Sequence, residues 1–573
     1  MRKYLLLGCA AASVMALAAP GRAQMTSQTA TSHREMVVTD QHIASDVGRF
    51  VLDTGGNAVD AAVAIGYALA VVDPCCGNLG GGGFMTIHLQ DGRDTFINFR
   101  ERAPLKATTT LFQDANGNVI PGLSLFGYLA VGVPGSVAGL EKAREEYGTR
   151  SRLSLIAPAI ALADFGFTLD AGDVSELSTS TAEFAQQPNV AAIFLNQGQP
   201  YKVGDRLVQH DLARTLLKIA FGGANAFYKG PIADAVVAAS AANGGILSKA
   251  DFEQYTAEEF APVQCSYRGY KVLSSPPPSS GGTVLCEVLK VLEGYNLSRF
   301  GFHSTEAVHY TVEAERQAYA DRNTYLGDPD FIANPLQQLL SASYAAKIRA
   351  NILPAAAGSS ATTKPGLGGI AAPAAEGPHT THFSVLDRFG NAVSVTYTIN
   401  NLFGAGVIAG STGFLLNDEM DDFTSKPGVP NLYGLVQGVA NDIQPGKRPL
   451  SSMSPSILLN GGKVFMVAGA PGGSRIPTEV LGVIQNVIDY GMDIGPAVAA
   501  PRIHHQYLPD TVYLEPNALS SEVFTALQGE GYSLTQQATT WGLAEAILVN
   551  QASGLITGAT DPRRADGLAT GAR

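Results

Sequence analysis

The stretch THFSVLDRFGNAVSVTYTIN (381–400) constrains this chain more than any other. Alternation on both sides of Arg388-Phe389-Gly390 reads as a β-hairpin with a three-residue loop and glycine in the left-handed position. That register pairs Asp387 with Asn391 and, counting back, sets Thr380 opposite Thr398. A period of two then divides the hairpin into an apolar stripe (Phe383, Val385, Val393, Val395) and a polar one (Thr380, His382, Ser384, Ser394, Thr396, Thr398). The apolar stripe is expected to face a core and the polar stripe a cleft. Two opposed hydroxyls can hydrogen-bond. The approach to Thr380, AAEGPHT, is a loose Ala/Gly/Pro tract, so either a linker ends there or the bond before Thr380 is made to be cut.

The surrounding chain has a helical half and a strand-rich half. Asn57 and Asp60 can cap a helix running to residue 72, which Asp73-Pro74 ends. GNLGGGGF (77–84) follows, and then an alternating run in which Asp91-Gly92 predicts a two-residue turn joining strands 84–90 and 93–99. From about 105 to 350 the pattern is mostly helical, broken at 274–282 by SSPPPSSGG. Residues 351–379 are low-complexity and expected to be a flexible lead. Strand pairs with Gly/Asn turns dominate after Thr380. Helices covering a stacked pair of antiparallel sheets satisfy this order.

A second hairpin, LSSMSPSILLNGGKVFMVAGAPGGSR (450–475), turns at Asn460-Gly461 or Gly461-Gly462. It is expected to bring Ser451 and Ser452 alongside residues 470–472, with Gly473 just beyond. Between the two hairpins lies the acidic cluster NDEMDDF (417–423).

Charge and processing signals narrow the function classes. Residues 1–23 combine Arg2 and Lys3, an apolar Leu/Ala stretch and Gly21-Arg22-Ala23, the pattern of a cleaved secretory signal. Leu6-Leu7-Gly8-Cys9 faintly resembles a lipoprotein box, but few apolar residues precede Cys9. The formal charge is −12; removing three basic residues makes it −12 − 3 = −15. An exported acidic chain, periplasmic or secreted, is a poor partner for nucleic acid or an anionic membrane. The run from Ala58 to Val72 is too short to span a bilayer and carries Asp60. Cys75, Cys76, Cys265 and Cys286 remain, and they allow three full pairings.

A threonine hydroxyl needs a neighbouring base to act as a nucleophile; as a new chain end, Thr380 would carry its own α-amine, with a pKa of about 8. Thr398 would orient that hydroxyl, and the amides of Gly472 and Gly473 would form an oxyanion hole. Glu419 and Asp422 would attract a substrate ammonium. Arg100, with Ser451 and Ser452, would hold a carboxylate. Other chemistries fit less well. The glycine run lacks a following Walker lysine. His504-His505 lacks a third metal ligand at suitable spacing, so no metal is assigned. No Gly-x-Ser-x-Gly elbow is present.

From about Met36 to Arg563 the sequence resembles the γ-glutamyltranspeptidases of the N-terminal-nucleophile hydrolase superfamily. The resemblance rests on GGNAVDAAVA, GNLGGGGFM, FRERAP, THFSVLD, TYTIN, DEMDDF, KRPLSSMSP, GAPGGSR and ATDPR. It implies an α+β, four-layer αββα sandwich and a proenzyme cut at His379–Thr380. The products would be a large subunit (24–379) and a small subunit (380–573), paired as a heterodimer. It implies Thr380 as nucleophile and Thr398 as its partner. Asn400, Glu419 and Asp422 would hold a γ-glutamyl α-amino group, with Arg100, Ser451 and Ser452 on the α-carboxylate and Gly472 and Gly473 on the oxyanion. Residues 427–443, with Tyr433, resemble a lid loop that some members have. Position 419 is Glu where some bacterial relatives have Gln. The implied donor is glutathione or another γ-glutamyl compound, the acceptor is water, an amino acid or a dipeptide, and no cofactor is implied. Two alternatives are a β-lactam side-chain acylase on the same scaffold and a non-catalytic secreted peptide-binding protein.

Overall fold

A computed structural model of the chain describes residues 25–368 and 380–572. The leader and residues 369–379, the end of the expected flexible lead with His379, lie outside the described residues.

Two seven-stranded sheets form the centre. The first runs Leu568–Thr570, Met36–Thr39, Thr381–Leu386, Ala392–Thr398, Gly82–His88, Asp94–Asn98, Glu258–Phe260. The second runs Thr29–Ser32, Ile556–Ala559, Glu545–Val549, Lys463–Gly469, Ser456–Asn460, Tyr270–Ser274, Val263–Tyr267. Phe383, Val385, Val393 and Val395 point outward from the first sheet into a core shared with helices such as Ala58–Val72 and Arg152–Phe165. Met36, Val38, Leu386 and Ala392 point inward and meet Leu273, Ile457, Val467 and Ile547 of the second sheet. Helices Gly281–Leu292 and Ile476–Ile488 cover the far side of the second sheet. This is the expected αββα stack.

The central hairpin has the predicted register: Thr381 pairs with Tyr397 and Leu386 with Ala392, and Gly390 turns at φ +94°. Only the open end of its polar stripe, Thr380 and Thr398, reaches a cleft. His382, Ser384, Ser394 and Thr396 are fully buried between the sheets. There His382 Nδ1 meets Thr396 Oγ1 at 2.8 Å, and Ser394 donates to the Ala468 carbonyl at 3.2 Å. A Cβ on Gly469 would lie 2.2 Å from the His382 ring, so glycine at 469 makes room for a polar layer inside the sandwich.

The Asn57–Asp60 capping box forms as expected. The glycine run serves strand packing: a Cβ on Gly81 would sit 1.9 Å from the Thr398 carbonyl. The 82–98 hairpin closes at Leu89 and Arg93 around three residues, with Gly92 at φ +89°. The two-residue turn expected at Asp91-Gly92 is therefore corrected by one position. Strands 263–267 and 270–274 interrupt the region expected to be helical. They form an edge hairpin whose Cys265 is disulfide-bonded to Cys286 of the covering helix, leaving Cys75 and Cys76 as buried thiols.

Residues 352–368 are tied down rather than loose. The Ser360 amide donates to Asp510 at 2.7 Å and the Gly366 amide to Asp321 at 2.7 Å. The second hairpin turns at Gly461-Gly462, both with positive φ. Its pairing ends at Ser456–Ala468, so Ser451 does not lie along 470–472 as expected. Its backbone instead pairs with Pro278 and Ser280 at 2.8 Å each.

Candidate active site

One cleft gathers nearly every residue singled out from the sequence. Arg100, Thr380, Thr398, Asn400, Glu419, Asp422, Tyr433, Ser451, Ser452 and Gly473 line it. Gly472 stands one residue outside the lining, and His379 lies outside the described residues.

The hairpin register delivers the two threonines. Thr380 Oγ1 donates to Thr398 Oγ1 at 3.4 Å, and Thr398 Oγ1 also accepts the Asn400 amide at 2.9 Å. Asn400 takes a left-handed φ of +76°, which turns the chain out of the strand, and its side-chain amide donates to Asp418. Gly472 and Gly473, at φ +145° and +57°, make the bend that opens helix Ile476–Ile488.

The expected ammonium and carboxylate sites are a single ion cluster here. Arg100 donates through one guanidinium nitrogen to Glu419 and through the other to Asp422, and Glu101 lies 3.5 Å from it. All four residues are buried. Burial pushes Glu419 and Asp422 upward, with Arg100 opposing. Burial works against Arg100's own charge, but the three carboxylates outweigh it and hold the guanidinium protonated. Arg100 thus bridges directly the two carboxylates that the sequence reading sets on a different group of the donor.

Arg322 was not foreseen. It is 1% exposed, lines the same cleft and donates to Ser280, Asn323, Gln437 and Ser452 at 2.8–3.3 Å. Burial pulls its pKa down to about 10. Its helix, Thr305–Tyr325, also buries Glu313, Glu315, Arg316 and Asp321. A helix so rich in charge normally reads as a solvated face, which is why no sequence signal marked it.

Segment 427–443 lies across this cluster. Tyr433 Oη donates to the Asn400 carbonyl at 2.9 Å, the Leu432 amide donates to Asp421 at 2.6 Å, and Gln437 and Asn441 both donate to the Asp422 carbonyl. The histidine pair at 504–505 is buried and engaged elsewhere: His504 with Thr478 and Gln506, His505 with Asp510.

Comparison with known proteins agrees with this architecture. The family model for gamma-glutamyltranspeptidase matches residues 44–571. A glutathione hydrolase proenzyme of Pseudomonas sp. (strain A14) is 57% identical over 94% of each chain. One from Escherichia coli (strain K12) is 46% identical, covering 94% of this chain and 91% of its own. Among solved structures, a cephalosporin acylase from Bacillus halodurans superposes with TM-score 0.82 at 25% identity, covering 98% of this chain and all of that one. With the fold, the threonine pair and a matched span this long in agreement, the chain belongs to the γ-glutamyltranspeptidase family.

Proposed function

We propose that this chain is a proenzyme that cleaves itself at His379–Thr380 and then moves γ-glutamyl groups from glutathione or related donors to water, amino acids or dipeptides. The observation that carries the reading is the contact between Thr380 and Thr398 at the head of a cleft charged for a zwitterion.

In maturation, Thr380 Oγ attacks the His379 carbonyl carbon. The C–N bond breaks as the ester forms, and water opens the ester to leave a carboxylate on His379 and an α-amine on Thr380. The two fragments stay packed as a heterodimer, because Arg100 belongs to one and Glu419 and Asp422 to the other. In turnover, the donor's α-carboxylate takes the place of the protein's own carboxylates at Arg100, assisted by Ser451 and Ser452. Its α-ammonium takes Arg100's place beside Glu419 and Asp422, near Asn400. An internal ion pair is thus exchanged for two intermolecular ones with no change of net charge, which limits the desolvation cost. The Thr380 amine accepts the hydroxyl proton as Oγ attacks the γ-carbonyl, and the Gly472 and Gly473 amides face the oxyanion. The departing amine takes the proton, and water or an acceptor amine then resolves the acyl-enzyme.

Two carboxylates at 419 and 422 favour a donor bearing an ammonium group over acyl donors that lack one, so the acylase reading is the weaker. The leader pattern and the Cys265–Cys286 disulfide support export to an oxidising compartment, periplasmic or extracellular. A denaturing gel with fragment mass spectrometry tests maturation: two fragments are expected, the smaller beginning at Thr380. Release from γ-glutamyl-p-nitroanilide, with and without a dipeptide acceptor, tests turnover. An uncut chain without amide release would sink the proposal.

A further inference from the structure

Cys75-Cys76, between the Ala58–Val72 helix and the glycine run, has no part in the chemistry above. The turn that carries the pair is tight: the Asp73 carbonyl accepts both the Cys76 amide at 3.1 Å and the Gly77 amide at 2.8 Å. This folds the thiols back toward the Asp73 side chain, and Cys75 Sγ donates to Asp73 Oδ1 at 3.3 Å. Asp73, Cys75 and Cys76 each bring a ligand atom within 4.8 Å of the others, and all three residues are buried.

Two further features point to a cation. The second carboxylate oxygen of Asp73 is buried and takes no hydrogen bond, and neither does Oδ1 of Asp173. Both residues line a small cavity together with Cys75 and Arg564. Arg564, the cation of this cavity lining, faces three carboxylates: Asp73 at 2.9 Å, Asp566 at 3.3 Å and Asp173 at 4.0 Å. Asp170 lies close behind, its carboxylate within 4.8 Å of those of Asp173 and Asp566. Asp73, Asp173 and Asp566, all buried, therefore outnumber the Arg564 guanidinium they face.

We propose that Asp73, Cys75 and Cys76 form a binding site for one thiophilic divalent cation of the zinc class, with the fourth position open to the cavity. Two sulfur donors select such a cation over calcium or magnesium, which take oxygen ligands. On uptake two S–H bonds break, two metal–sulfur bonds form and two protons leave to solvent. A dication entering as two protons depart leaves the charge of the site unchanged, so no uncompensated charge is buried.

The Cys75 carbonyl accepts the Phe403 amide, and the Cys76 carbonyl accepts the side chain of Asn78. Asn78 in turn accepts the Gly81 amide, and Gly81 packs against the Thr398 carbonyl. Metal would thus brace the turn that leads into the strand beside Thr398.

The test is cadmium titration of the purified, fully folded protein, read by ultraviolet sulfur-to-cadmium absorption. Native mass spectrometry with zinc runs in parallel. One cadmium per chain is expected, together with a zinc adduct short of two protons. C75S/C76S should lose both signals. D73N should keep the absorption but need at least about tenfold more cadmium. The proposal is overturned if the parent protein shows no thiolate–cadmium absorption in excess cadmium, if C75S/C76S binds as the parent does, or if Cys75 and Cys76 prove to be joined as a disulfide in the purified protein.

Discussion

Thr380 and Thr398 stand opposite each other one pair beyond Thr381 and Tyr397, the last strand-paired residues of the central hairpin, with their hydroxyl oxygens 3.4 Å apart. Because Thr398 Oγ1 also accepts the Asn400 amide, its lone pairs are placed by the same turn that ends the strand.

Thr380→Ala is expected to remain one chain and to release no amine from γ-glutamyl-p-nitroanilide. Thr398→Ala should still fold, but it loses the partner that orients the nucleophile. A neutral hydrogen bond is worth about 1 kcal/mol, so self-cleavage should slow by roughly five- to tenfold. A gel time course of freshly purified precursor measures this. Wild-type cleavage rates in Thr398→Ala would remove the residue from the mechanism.

Arg100 is the cation set directly among three buried carboxylates, so Arg100→Ala has two expected effects. Breaking a buried ion pair from one side costs about 3–5 kcal/mol, which should lower the thermal midpoint. The Michaelis constant for γ-glutamyl donors should also rise strongly, with Arg100→Lys restoring only part, since a point charge cannot span Glu419 and Asp422 as the guanidinium fork does. Asp422→Asn should weaken γ-glutamyl donors by about ten- to hundredfold relative to glutaryl amides, given about 1.5–3 kcal/mol for a charge-assisted contact. An unchanged ratio between the two donor types would count against Asp422 as an ammonium ligand.

The hairpin register and most of the cleft roster were legible because each rests on local rules: a period of two, a glycine-closed turn, and short motifs that bring their own polar groups. Asn400 and Tyr433 came from the family resemblance alone. What stayed hidden depends on what packs above each element. The whole stripe through His382 was read as facing a cleft because a sequence cannot show that a second sheet lies over most of it. Arg322 was invisible for the complementary reason, its charged helix being buried. The charges of Arg100, Glu419 and Asp422 were identified, but their mutual pairing is a property of three-dimensional proximity across 322 residues of chain.

His382 gives a pH prediction with a definite sign. Burial between the sheets pulls its pKa down to about 3, below the ordinary value near 6.5. The unfolded chain therefore binds a proton that the folded one refuses between these values. Stability from this group is complete above about pH 6.5 and falls as pH drops toward 3. Buried carboxylates with raised pKa, such as Glu479 at about 8, act in the opposite sense, so the comparison must be with a variant. Between pH 7.5 and 4.5, His382→Gln should lose less stability than the parent by up to about 3 kcal/mol. Denaturation midpoints at the two pH values read it. Parallel losses would show that the imidazole is protonated in the folded state.

The Cys265–Cys286 disulfide closes a separation of 21 residues between the edge hairpin and the helix that covers it. A loop of that size contributes about 3 kcal/mol through the unfolded chain. Cys265→Ser/Cys286→Ser should therefore melt earlier while keeping two fragments and donor turnover, since neither cysteine reaches the cleft. Thermal melts of both forms, with and without reductant, separate the bond from the substitutions: reductant should shift only the parent.

Tyr433 connects the segment over the cleft to the nucleophile's own turn, donating to the Asn400 carbonyl while Asn400 reaches back to Thr398. Tyr433→Phe removes that bond and keeps the ring, whose buried surface still packs over the site. Segment 427–443 remains held by Leu432 on Asp421 and by Gln437 and Asn441 on the Asp422 carbonyl. The expected change is therefore more frequent opening rather than loss of the lid. Water then reaches the acyl-enzyme more often, so the yield of transfer to a dipeptide should fall relative to hydrolysis, with the donor Michaelis constant moving little. Removing residues 429–436 should push the ratio further the same way. Product analysis at fixed donor and graded dipeptide concentration measures the partition. A Tyr433→Phe enzyme that keeps the parent's transfer-to-hydrolysis ratio at every acceptor concentration would mean that the hydroxyl positions the loop but does not control access of water.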